Sequence, residues 1–206
     1  RLAGLTDAVA PAARVAGSGA SEPRTFPLVL RTPGLHMGRG MIRVDDARAF
    51  ARALAAAPQR DELIAIDYVD TRSPDGAWRK YRVMIVDGAL YPLHLAVAHR
   101  WDVHYFSAAM AERADYRAEE TRFLTDPRAV LGARAWDALG RVRDVLGLEY
   151  AGIDFALAAD GRIVVFEANA AMTALAPDPD ERFAYRGAAS EAVAGALVQM
   201  FRRRSA

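Results

Sequence analysis

Ala151-Gly152-Ile153-Asp154-Phe155-Ala156-Leu157 and Arg162-Ile163-Val164-Val165-Phe166-Glu167-Ala168-Asn169, joined through Ala159-Asp160-Gly161, form the stretch that decides the fold. Two apolar runs of strand length flank an Asp-Gly turn, so they read as an antiparallel hairpin. Pairing around that turn sets residues whose numbers sum to about 321 opposite one another, which puts Asp154 across the ladder from Glu167. Side chains two apart share a face of a strand, so Asn169 joins Glu167. Facing carboxylates in apolar surroundings repel unless something positive lies between them. A hard cation resolves the conflict. Carboxylate and amide oxygens without sulfur or histidine suit Mg2+, which keeps waters and shares its other positions with substrate phosphates. The same pattern also allows one carboxylate to face solvent while the other meets an arginine.

Upstream, Phe26-Pro27-Leu28-Val29-Leu30-Arg31 reads as a buried strand, with Met41-Ile42-Arg43-Val44 as its hairpin partner. Between them Gly34, Gly38 and Gly40 would let backbone amides approach phosphates closely, although no Gly-Lys-Ser/Thr ends the loop. Asp45-Asp46 caps a helix that carries Phe50 and Leu54 and stops at Pro58. Strands follow at Leu63 to Val69, Tyr81 to Val86 and Leu90 to Leu95, the last two joined by the hairpin signal Asp87-Gly88. Residues 106 to 124 read as exposed helix and loop, with Glu119-Glu120 on a solvated face. Residues 132 to 147 place Ala135, Leu139, Val142 and Leu146 on one helical face before Gly147, and residues 188 to 201 form a last helix. Residues 17 to 25 are turn formers and read as a loop.

Composition limits the function. The 206 residues are 52% hydrophobic and 26% charged with a formal net charge of +1, which describes a globular chain without a field to attract nucleic acid or an anionic membrane. The basic run Arg202-Arg203-Arg204 reads as a helix terminus, where cations suit the dipole. The absence of cysteine excludes thiolate chemistry and disulfides and is compatible with a cytoplasmic location. No stretch approaches the roughly 20 apolar residues of a membrane span.

These residues together resemble the ATP-grasp family, over roughly residues 26 to 172. The family has a strand ending in a cation before a glycine-rich flap, similar to Arg31 and the Gly34 to Gly40 loop. Its adenine hinge is similar to Ile66-Asp67-Tyr68-Val69. Its metal motif, an aspartate on one strand and Glu-x-Asn on the next, matches Asp154 and Glu167-Ala168-Asn169. The resemblance implies an α+β fold of two lobes whose antiparallel sheets sandwich the nucleotide, a smaller one over residues 1 to 70 and a larger one over residues 71 to 206. It implies ATP and Mg2+ as cofactors and a ligase that activates a carboxylate as an acyl phosphate for attack by an amine. A kinase, or a module that only senses nucleotide, would use the same site. Segments such as Leu30 to Arg39 also look like ATP-grasp regions of longer, tetratricopeptide-repeat proteins.

Two departures stand out. Where many relatives carry aspartate two residues before the arginine of the strand after the hinge, this chain has Lys80 before Arg82, and Lys80 is its single lysine. The pair would steady a transferring phosphoryl group, with Arg31. About 25 residues precede the flap strand, so the family's separate N-terminal substrate domain is also absent from this sequence. The resemblance assigns nucleotide or acceptor contacts to His94 and acceptor contacts to His99, Arg100, Trp101 and His104. Met84, Leu157 and Met172 are candidates for an apolar adenine platform.

Overall fold

A computed structural model of the chain describes residues 5–16, 25–35, 39–57, 63–104, 108–174 and 180–205. Two compact units emerge, one from Pro11–Asp70 and one from Arg1–Ala10 with Thr71–Ala206. The first strand, β1 (Ala8–Val9), pairs in parallel with the last strand of the larger unit. Residues 5 to 10, expected in the smaller lobe, thus belong to the larger unit. Two residues are too short to show strand periodicity, so the sequence gives no sign of this pairing. Asp7 fixes it in place, accepting from Arg134 at 2.8 Å and Arg141 at 2.6 Å.

The smaller unit is an antiparallel sheet in the order β2-β5-β3-β4, built from β2 (Ala13–Val15), β3 (Leu28–Arg31), β4 (Met41–Val44) and β5 (Ile64–Asp67). Leu28 and Leu30, two apart on β3, face α1 (Ala47–Ala56) and pack with Val44, Phe50 and Ala65. Asp46 caps α1 as expected, its carboxylate accepting from the Ala49 amide at 2.6 Å.

The larger unit's sheet runs β1-β9-β8-β6-β7 with β6 (Trp78–Val86), β7 (Ala89–Ala98), β8 (Tyr150–Leu157) and β9 (Ile163–Asn169). Asp87 and Gly88, both at positive φ, turn β6 into β7. One sheet face buries Tyr81, Val83, Ile153 and Phe155 against Phe123 of α2 (Ala114–Thr125), Leu131 of α3 (Pro127–Leu131), and Leu139 and Val142 of α4 (Ala133–Leu146). Each such fully buried side chain contributes about 1.5–3 kcal/mol. The expected stop of α4 is present: Gly147 adopts the left-handed conformation. On the opposite face Met84, Val86, Leu93 and Met172 meet Val193 and Met200 of α5 (Gly187–Arg204). The basic end of α5 is held by ion pairs from Arg203 to Asp87 and from Arg204 to Glu149.

The solvated face expected for Glu119-Glu120 is not found. Glu119 accepts from Arg79 at 2.5 Å, and Glu120 is fully buried. Glu120 receives Arg186 at 2.7 Å, the Tyr185 hydroxyl at 2.5 Å and the Leu95 amide of β7 at 3.2 Å. Arg186, from the 3-10 turn Glu181–Arg186, is also buried. Burial, followed by the hydrogen bond to Glu120, raises the Tyr185 hydroxyl pKa above its ordinary value and keeps it a donor. Because β7 is an edge strand, its outward amides need partners, and a carboxylate fixed by an arginine supplies one. The helical pattern shows that α2 has a polar side; it does not show that an arginine 66 residues further on covers it. Glu120→Ala leaves a buried guanidinium without this counter-ion, so urea unfolding should show a loss of about 3–5 kcal/mol. A loss below about 1 kcal/mol would mean that water takes over the carboxylate's role.

Candidate nucleotide and metal site

A single row of side chains crosses the larger unit's sheet. His94 on β7 pairs with Arg82 on β6, Arg82 with Asp154 on β8, and Asp154 with Glu167 on β9. The expected facing of Asp154 and Glu167 is present, but it depends on a β-bulge that the sequence reading does not include. Between the turn and the bulge the pairs run Leu157 with Ile163 and Phe155 with Val165. Continued unbroken, that register would set Asp154 against Phe166. It would also turn Glu167 to the same face as the core residue Val165. The extra residue, Phe166, shifts the alternation by one and brings Glu167 to the face of Asp154. A second bulge, at Leu93, lies beside His94 on β7, so both ends of the row are set by inserted residues.

Within the row, Asp154 is buried and chelated by a guanidinium. Arg82 Nε donates to Oδ1 at 2.6 Å and Nη2 to Oδ2 at 2.8 Å, while Lys80 Nζ stands 3.3 Å from Oδ2. Lys80 reaches the same carboxylate because it lies two residues before Arg82, on the same face of β6. Burial pushes the Asp154 pKa up, but the Arg82 hydrogen bonds and the Lys80 charge outweigh it and hold the carboxyl below its ordinary value. Glu167 is exposed, and the Asn169 amide donates to it at 3.1 Å. The Asn169 carbonyl accepts from the Ala171 amide at 2.7 Å. The charge of Asp154 is thus offset by the chain's own cations, which reach it from β6, on the side away from Glu167.

Asp154, Glu167 and Asn169 present hard oxygen donors on one sheet face. Among the described residues no group of three or more His, Cys, Asp or Glu side chains is arranged to hold an ion alone. Two carboxylates and an amide fit Mg2+ with phosphate oxygens completing its shell, rather than an all-protein cage.

Other expected residues are placed as follows. His94 is fully buried, and burial, then the Arg82 charge, lowers its pKa well below the ordinary value. His99 meets the Tyr116 hydroxyl at 3.0 Å, and Arg100 pairs with Asp102. His104 is close enough to Lys80, Arg82 and Asp154 for their charges to act on it. The expected apolar platform is not assembled. Met84 and Met172 pack together under α5, where a Cβ on Gly152 would lie 2.3 Å from Met172 Cγ, whereas Leu157 packs on the opposite face of the sheet.

In the smaller unit Arg31 is exposed at the end of β3. Gly34 and Gly40 both take positive φ, the conformation that glycine favours. Gly38 lies outside the described residues. The Asp67 amide donates to the Ala12 carbonyl at 2.9 Å and the Tyr68 amide to the Pro27 carbonyl at 3.3 Å. The Asp67 carboxylate pairs with Arg14, and Tyr68 lies under the Arg43 guanidinium. Val69 is half-buried beyond them. An adenine edge at this strand end would therefore be read by groups other than these two amides.

No family model and no curated protein matches the chain. Among solved structures it is similar to a D-alanine-D-alanine ligase from Bacillus anthracis, at 17% identity and a TM-score of 0.48, over 87% of this chain and 56% of that one. It is similar to an L-amino acid ligase from Bacillus licheniformis at 19% identity and a TM-score of 0.46, over 79% of this chain and 36% of that one. A biotin carboxylase from Campylobacter jejuni gives 13% identity and a TM-score of 0.45, over 81% and 37%. The chain thus spans between 36% and 56% of the length of these three structures. Among the described residues no helix is long and apolar enough to cross a membrane.

His94 gives the site a pH signature. Below its ordinary value of 6.5 the unfolded chain takes up a proton that the folded chain refuses, so stability should fall as pH drops through that value. The expected slope from this group is roughly 1.4 kcal/mol per pH unit. Denaturant unfolding followed from neutral pH toward pH ~5 should show it, and His94→Gln should flatten it. An unchanged slope in the variant would assign the effect to other groups.

Proposed function

We propose that the larger unit binds ATP with Mg2+ and that the chain carries the nucleotide-binding part of an ATP-grasp ligase. In this reading a carboxylate is activated as an acyl phosphate and then taken by an amine. The observation that carries the reading is the row itself: two cations and three oxygen donors on one sheet face, in the chain order of the family's motif. Magnesium at Asp154, Glu167 and Asn169 would offset the charge of the phosphates it shares. Lys80 and Arg82 would meet the γ-phosphoryl oxygens, where fixed cations stabilise charge as the group transfers.

The substrate carboxylate attacks the γ-phosphorus and ADP leaves; the amine then attacks the acyl carbon and phosphate leaves. Arg82 and Lys80 would hold the transferring group toward the acid, where fixed cations favour the developing charge. The reading gives phosphate contacts to Arg31 and the loop Gly34, Gly38 and Gly40, and adenine contacts to Asp67, Tyr68 and Val69. Acceptor contacts fall to His99 through Trp101, while the fully buried His94 would act from beside Arg82 and not by touching the acceptor. These assignments, the link to tetratricopeptide-repeat proteins and a cytoplasmic location rest on the sequence alone.

A full-length protein of this kind should release ADP slowly alone and faster with its acid, and hydroxylamine should trap the acyl phosphate as a hydroxamate. Arg82→Ala should weaken binding of the magnesium complex of ATP and lower turnover by a larger factor, because Lys80 still meets the bound phosphates while the transferring group loses its guanidinium. AMP as product, or a stable phosphorylated acceptor without hydroxamate, would replace ligase chemistry with another activation or a kinase. ATP and GTP binding with equal affinity would remove the adenine assignment.

A further inference from the structure

The row is balanced in charge. Lys80 and Arg82 bring two positive charges, Asp154 and Glu167 two negative ones, and both oxygens of Asp154 are taken by the cations. The side chain of Asp154 is 4% exposed and those of Lys80 and Arg82 are 16% exposed, so separating them leaves charge that water compensates poorly.

A divalent cation arriving alone at Asp154 would sit beside two positive side chains. A polyphosphate arriving alone at Lys80 and Arg82 would lie against the Asp154 carboxylate. Like charge opposes each binding event. Arriving together they exchange partners: the side-chain cations pass to phosphate oxygens and the carboxylate passes to the metal, and no charge is left without an opposite neighbour.

We infer that the ion pairs of Asp154 with Arg82 and Lys80 form a gate that favours metal and polyphosphate as a coupled pair over either alone. The inference rests on the function proposed above and adds that the chain's own ion pairs couple the two ligands, so that metal-free polyphosphate and metal alone each bind more weakly than the two together. The coupling is reciprocal: each ligand raises the affinity of the other by the same factor, on the order of tenfold to a hundredfold.

The probes are magnesium chloride and inorganic tripolyphosphate, applied singly and together to the whole chain. The first readout is the Arg82 Nε–H resonance of the unaltered protein. At one fixed probe concentration it should move far less with either probe alone than when both are present. A shift of equal size with tripolyphosphate alone would overturn the gate. The second readout is calorimetric, in Asp154→Asn. Freed of the carboxylate, Lys80 and Arg82 should bind metal-free tripolyphosphate about tenfold more tightly than in the unaltered protein, and magnesium should add little. Unchanged or weaker metal-free binding in that variant would contradict the gate, while the unaltered protein's binding of the magnesium complex would leave the nucleotide site standing. No binding of that complex by the unaltered protein would remove both.

Discussion

The ionised carboxylate of Asp154, buried on a sheet face, is the constraint on which the larger unit's site depends. A charge in that position requires opposite charge within reach, and the neighbouring strand supplies it from two residues of the same face, Lys80 and Arg82. The register of β6 against β8 meets that requirement while it also keeps Tyr81, Val83, Ile153 and Phe155 in the core. The same register carries Arg82 to His94 on one side and Asp154 to Glu167 on the other. The ion pair spans the two central strands of this polar row, while the opposite face of the sheet is an apolar core against α2, α3 and α4.

Bulges make the two faces compatible. β9 must put Ile163 and Val165 into the core near the turn and Glu167 on the polar face further on, which strict alternation forbids. Phe166 absorbs the mismatch and is left exposed. On β7 the inserted Leu93 packs with Met84 and Met172, so the adjustment there is covered by α5. The edge of β7 is completed by Glu120, whose own charge is met by Arg186, so buried ion pairs flank the strand from both sides. The two pairs differ: one satisfies an edge and leaves no free oxygen face, the other joins cations that keep part of their side chains exposed.

Much of this was legible in the residues. Asp-Gly dipeptides marked both hairpins of the larger sheet, Asp46 and Gly147 marked helix ends, and the order of Asp154 before Glu167 and Asn169 marked the polar row. The facing of Asp154 and Glu167 was legible without its cause, since strand patterns count residues and do not show where one is inserted. Long-range partners were not legible. Arg186 for Glu120, Arg134 and Arg141 for Asp7, and Arg82 for Asp154 each depend on tertiary placement, and in a chain where almost every cation is arginine the residue type gives no hint of which carboxylate it serves. The ion pair at Asp154 also alters the argument from repulsion: the chain carries its own counter-ions, and a metal bound there would have to displace them.

The central claim, that this row holds a metal together with a polyphosphate, is tested most directly by paramagnetic relaxation with Mn2+ in place of Mg2+ and a non-hydrolysable ATP analogue. With both present, amide resonances at Asp154, Glu167 and Asn169 should broaden first and most strongly, with those of Lys80 and Arg82 next. Broadening that centres on other residues, or that is the same without the nucleotide, would contradict the account.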